Sequence, residues 1–166
     1  MAKAKDIEGL HAHLPYAEAA ALTVRARAEE LFAISSADVL DTADIERVHD
    51  MRVASRRLRA VLEIYAPCFE PDRFRAVLAD VKALADALGA RRDPDVQLAA
   101  LDQLRAAMPS ADHPGIDLLS EDVRGEQARG NEVLAVALEA AESSDLRGRL
   151  VELAGSAAER AEALRP

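Results

Sequence analysis

Thirteen residues, Arg47-Val48-His49-Asp50-Met51-Arg52-Val53-Ala54-Ser55-Arg56-Arg57-Leu58-Arg59, hold five arginines and a histidine in an otherwise acidic chain. No Gly or Pro interrupts them, so the run reads as a helix, on which residues three and four apart share a face. His49, Arg52, Arg56 and Arg59 are spaced 3, 4 and 3 and form one stripe. Val48, Met51, Ser55, Leu58, Leu62 and Tyr65 repeat that spacing one position earlier and form the seam that faces the core. The basic stripe therefore flanks the seam, where it lines a groove better than it covers an outer surface. At 1.5 Å per residue, His49 to Arg59 spans roughly 15 Å, which suits a linear polyanion.

Most charged helix faces are simply solvated, and exposed ion pairs contribute little. Two features favour a ligand here. Nearly every cation is Arg, whose planar fork makes paired hydrogen bonds to phosphate or carboxylate. Only Asp50 lies among the cations, with Glu46 and Glu63 near the ends, whereas a face built for solubility mixes both signs.

The elements that must position this row are helical. Of 166 residues half are apolar, only 3% are aromatic, and β-branched runs are few, a composition of packed helices forming one domain with its own core. The formal charge of −9 argues against general nucleic-acid binding. Between Arg47 and Arg92, however, ten Lys or Arg stand against six acids, a local excess of +4. A basic site on an acidic body marks selective anion binding. Cys68 is the only cysteine, so no intramolecular disulfide forms, which is compatible with a reducing cytoplasm. There is no apolar leader and no stretch long enough to span a bilayer, so a soluble, cytoplasmic protein is expected.

In chain order, residues 1–14 form a short segment prone to fraying, with Ile7, Leu10 and Leu14 at helical spacing. His11 and His13, at i and i+2, do not share a helix face and complete no metal site. Residues 15–166 form the bundle. Pro15 opens a helix to about Ala37, with Ala17, Ala21, Val24, Ala28 and Leu31 facing inward. Asp41 or Thr42 caps the motif helix, which ends near Ala66-Pro67. Pro71 starts a third helix carrying Phe74, Val77, Leu78, Val81, Leu84, Ala85 and Leu88, ended by Gly89 as a left-handed cap. Asp93 as cap and Pro94 as first residue open a fourth helix to about Ala107. After a loop at 108–114, a fifth helix runs to about Ala141, weakened at Gly125 and Gly130. Ser143 or Ser144 caps a last helix ending near Leu164. Short connections make neighbours antiparallel. The expected fold class is all-α, an antiparallel bundle of about five to six helices.

The motif helix and the turn after the third helix resemble the CHAD family, the conserved-histidine α-helical domains. The family signature is similar to His49-Asp50-Met51-Arg52-Val53 followed by Arg56-Arg57-Leu58-Arg59. A second signature matches Leu88-Gly89, Arg92-Asp93 and Asp95-Val96, and the lysine common in the preceding helix falls at Lys82. The match is strong from about Ile45 to Leu101. The resemblance implies a helical domain that binds inorganic polyphosphate in a basic groove, associates with polyphosphate granules, and is a binding module without a cofactor or catalytic activity. Carried over by position, His49, Arg52, Arg56, Arg59, Lys82 and Arg92 contact phosphate. Arg57 and Arg91 are added as candidates, with an outward orientation as the alternative. For Arg92 the alternative is a salt bridge to Asp95, and for His49 a hydrogen bond inside the core.

The chain departs from the family in lacking a second basic helix: after His113 the arginines (124, 129, 147, 149, 160, 165) are scattered. It looks like one half of the usual domain, and a homodimer that rebuilds a shared groove by two-fold symmetry is expected. No nucleophile–base pair, carboxylate pair or Gly-rich phosphate loop is present, so an enzyme is not expected, nor is a membrane or specific nucleic-acid partner. Two rival functions are a histidine phosphotransfer protein using His49, with Arg52 one turn on, and a helical module for acidic protein tails. Against the first, that motif usually has Gly four residues after the histidine, where Val53 stands here.

Overall fold

The apolar periodicity builds six α-helices and no strand among the described residues, which are 4–34, 36–41 and 44–163, the last four of them as backbone. In this computed structural model, α1 spans Tyr16–Phe32, α2 Ser36–Leu40, α3 Ile45–Ile64, α4 Pro71–Ala107, α5 His113–Ser143 and α6 Leu146–Ala163. Short 3₁₀ turns at Ala66–Cys68 and Ser110–Asp112 lead into α4 and α5. The fold is the expected all-α bundle.

The seam of α3 is buried as its spacing predicts: Val48, Leu58 and Leu62 are fully enclosed, with Met51 and Ser55 beside them. Each large apolar side chain so enclosed contributes about 1.5–3 kcal/mol of transfer free energy. Val77, Val81, Leu84 and Leu88 of α4 meet this seam in one continuous core. Tyr65, at the end of α3, packs its ring tilted at 49° against that of Tyr16, centroids 4.9 Å apart, and the Tyr16 hydroxyl donates to the Ile64 carbonyl at 2.7 Å. That contact brings the start of α1 against the end of α3, so the two are antiparallel. Ala20, Ala21, Val24 and Ala28 of α1 are buried, as are Ala154 and Ala157 of α6. Small residues on both helices let their backbones approach closely.

Several boundaries differ from the sequence expectation. The first helix stops at Phe32 and not near Ala37, because the chain turns at Ala33 to put Ile34 against the core and Val39 within it. Pro15 is the residue before the helix and not its first. α3 begins after Asp44, so Asp41 does not cap it, and Thr42 lies outside the described residues. Asp145, and not Ser143 or Ser144, precedes α6; its carboxylate accepts from the Gly148 amide at 3.1 Å. Residues 4–14 form turns and no helix. Glu30 accepts from the Lys5 amide at 2.6 Å and Arg27 donates to the Lys5 carbonyl at 3.0 Å, which ties this segment to α1. α4 begins at Pro71 as expected, capped by Glu70, whose carboxylate accepts from the Asp72 and Arg73 amides at 3.0 and 2.8 Å.

The largest correction is that the third and fourth helices are one. α4 runs unbroken through Gly89 and Pro94 for 37 residues, so Gly89 is no left-handed cap and Asp93 no N-cap. Pro94 has no N–H to offer the carbonyl four residues back, which is Ala90. At that carbonyl α5 crosses with Gly130, where a Cβ would lie 2.7 Å from Ala90 O and 3.0 Å from Arg91 Cα. The glycine that appeared to weaken the fifth helix is thus the point at which two helices touch by their backbones, next to the hydrogen bond that proline deletes.

Around this crossing the α4–α5 hairpin is pinned by polar pairs. Arg91 is fully buried and donates to Asp95 at 2.5 Å and to Asn131 at 3.1 Å. Gln127 donates to Asp95 at 2.6 Å, and Asn131 donates to the Leu40 carbonyl at the end of α2 at 3.2 Å. Near the tip, Arg105 grips Asp117 with bonds of 2.7 and 3.3 Å. Positions 91, 95 and 105 on α4 face 131, 127 and 117 on α5, an antiparallel register without a slip.

Candidate anion-binding cleft

The α3 stripe and one face of α4 enclose a cleft of about 300 Å³. The α3 wall is Arg52, Ser55, Arg56 and Arg59; the α4 wall is Ala85, Asp86, Gly89, Ala90 and Asp93. Arg52 and Arg56 are exposed, and neither guanidinium is hydrogen-bonded or ion-paired among the described residues. Ser55 sits buried beneath them with its hydroxyl donating to the Arg52 carbonyl at 2.9 Å, so it contributes floor and no free donor. Gly89 lies beside Arg52: a Cβ there would be 3.9 Å from Arg52 Nε. The small residues at 85, 89 and 90 keep this side of α4 low and leave room in front of the arginines.

At one end of the row Glu63 draws two cations together, with Arg59 Nε at 3.9 Å and Lys82 Nζ at 3.4 Å from Glu63 Oε1. All three side chains are two-fifths to one-half exposed, so this bridge is weak and readily exchanged for another anion. At the other end His49 stands one turn before Arg52, half-buried and not itself a lining residue.

Three of the eight candidates thus share one wall, and Lys82 reaches its end through Glu63. The remaining cations lie elsewhere. Arg57 lines a separate cleft of about 170 Å³ with Lys5, Glu30 and Asp50. Arg91 is neither outward-facing nor at the cleft: it is fully buried and spent on Asp95 and Asn131. Arg92 lies 3.7 Å from Asp95 with its side chain 17% exposed, the salt bridge that was its alternative reading. Sequence reasoning passed over Asp86 and Asp93 as lining residues. Once α4 is one helix, their spacing of seven puts both on the cleft face, but the Gly89–Pro94 signal for a break hid that. Among the described residues no group of three or more His, Cys, Asp or Glu could hold a metal ion, and no helix is long and apolar enough to cross a membrane.

The model of one protein family, the CHAD domain, matches residues 19–166. The chain belongs to the CHAD family. Neither curated proteins nor solved structures returned a match. The family match extends well beyond the two motifs, from within α1 through α6, so the arginine row and the Arg91–Asp95 crossing lie in the same CHAD domain.

Proposed function

We propose that this CHAD domain binds inorganic polyphosphate along the α3 wall of the cleft and acts as a binding module, not a catalyst. The observation that carries the reading is the pair of unengaged guanidiniums, Arg52 and Arg56, on one wall of a 300 Å³ cleft with Arg59 next in line. Successive phosphates of a linear chain exchange their counterions for these fixed cations, and the released ions drive association. Arg offers two parallel donors to two phosphate oxygens, which a lysine row does not. Lys82 extends the row when phosphate replaces the Glu63 carboxylate. Such binding would draw a cytoplasmic protein to polyphosphate granules.

Titration of long-chain polyphosphate at low and moderate salt tests this. With three phosphate contacts the slope of log K against log salt is about −2, taking roughly 0.7 per contact as for a single-stranded polyanion. Binding is lost in Arg52→Ala/Arg56→Ala. Equal binding by this variant and the native chain overturns the reading.

The cleft has one basic wall, its α4 side carrying Asp86 and Asp93 and no arginine. The same proposal therefore includes a homodimer in which each copy supplies one basic wall to a shared groove.

A further inference from the structure

The arginine cleft is not basic throughout. Its α4 wall carries Asp86 and Asp93, two turns apart and exposed, and neither is ion-paired among the described residues. Three guanidiniums and two carboxylates thus line one cleft without pairing across it, because the space in front of Ala85, Gly89 and Ala90 separates the walls. Glu63, at the end of the row, does reach its cations. Asp86 and Asp93 instead leave Arg52 and Arg56 free while setting a negative wall opposite them. The potential across the cleft changes sign from one helix to the other.

A ligand with a single file of phosphates lies against α3 and keeps its distance from α4. A ligand with two files does not. Duplex DNA carries phosphates on both sides of grooves about 6 and 12 Å wide, so seating one strand on the arginines brings the other toward the carboxylates. We infer that Asp86 and Asp93 are specificity-determining residues that admit a single phosphate chain and reject duplex nucleic acid. The inference rests on the polyphosphate reading above.

The test titrates long-chain polyphosphate and a duplex DNA against four proteins at one low salt concentration. They are the native chain, Asp86→Asn/Asp93→Asn, Arg52→Ala/Arg56→Ala, and a control that removes two exposed α5 acids away from the cleft, Glu121→Gln/Asp122→Asn. Each charge removed from about 6 Å of a phosphate strengthens binding about threefold in water. Duplex affinity should thus rise about tenfold in Asp86→Asn/Asp93→Asn, by combining the two effects. Polyphosphate, on the far wall, should gain less, so the preference for it narrows. In the control both ligands shift together and the preference holds. An unchanged preference in Asp86→Asn/Asp93→Asn, or a shift matched by the control, overturns the inference and leaves the polyphosphate reading standing. If the native chain does not bind polyphosphate, or Arg52→Ala/Arg56→Ala binds it equally well, the polyphosphate reading falls and the inference with it.

Discussion

At the scale of single residues, two neighbouring arginine types have opposite fates. Arg52 and Arg56 hold their charge in solvent and unengaged, whereas Arg91 is taken out of water altogether. Burying a guanidinium is tolerable only with a partner of opposite charge and good hydrogen bonds. Arg91 has its charge partner in Asp95 and hydrogen bonds from Nη1 to Asp95 and from Nε to Asn131, while its Nη2 is buried without a partner among the described residues. Arg91→Met takes from the buried Asp95 carboxylate its close cation and leaves it Gln127 and the more distant Arg92, so unfolding in urea should show a loss of about 3 kcal/mol, with part regained when Asp95→Leu is added. A variant of native stability that had lost polyphosphate binding would instead make Arg91 a ligand residue. Sequence spacing separated the stripe of Arg52, Arg56 and Arg59 from the seam correctly, since both follow from helix geometry. It could not separate Arg91 from Arg92, because their burial depends on where α5 crosses, which no local pattern encodes.

At the scale of elements, the length of α4 was the least legible feature. Gly89 and Pro94 are each a sound local signal for a helix end, and together with Asp93 they imitate a complete stop and restart. Tertiary contact overrides them: the Ala90 carbonyl left free by Pro94 is covered by α5 at Gly130. Gly130→Ala puts a Cβ against that backbone and should destabilise by about 1–3 kcal/mol in urea unfolding. Gly125→Ala on the same helix, whose Cβ would meet only the end of the Arg129 side chain at 3.5 Å, should be neutral or slightly stabilising. The ends of α4 carry a pH signature. Backbone hydrogen bonds from Arg73 and then Asp72 hold the Glu70 carboxyl below its ordinary value of 4.5. The hydrogen bond from Arg105 holds Asp117 below 3.8. A carboxyl lowered on folding adds stability that is fully present above its ordinary value and is lost as pH falls through its folded value. Thermal melts of Asp117→Asn should therefore lie below those of the native protein near neutrality, and the gap should close as pH drops beneath 3.8. A gap that persists in acid would show that the Arg105–Asp117 pair is not its source.

For the whole molecule, fold class was readable from composition and apolar spacing, since an alanine- and leucine-rich chain with few β-branched runs has little choice but to pack helices. The cleft was half legible. Its basic wall lies on one uninterrupted helix and shows in the sequence, whereas its acidic wall needed the true course of α4. The homodimer belongs to this scale. A two-fold pair would set two basic walls around one groove, and sedimentation with polyphosphate bound should give twice the monomer mass. A monomer carrying ligand at working concentration would rule the pair out.

The fixed register of the α4–α5 hairpin has a consequence for how such a chain tolerates change in length. Its two arms behave like the two scales of a vernier, aligned at 91 with 131, 95 with 127 and 105 with 117. One residue added between 91 and 105, or between 117 and 131, turns every side chain beyond it by about 100°, which puts the tip pair out of line with the crossing. Residues added at Met108–Pro109, outside both helices, leave all three alignments untouched. Within this pinned stretch, length variation or an inserted reporter is therefore confined to the tip of the hairpin, beyond the part of α4 that lines the arginine cleft.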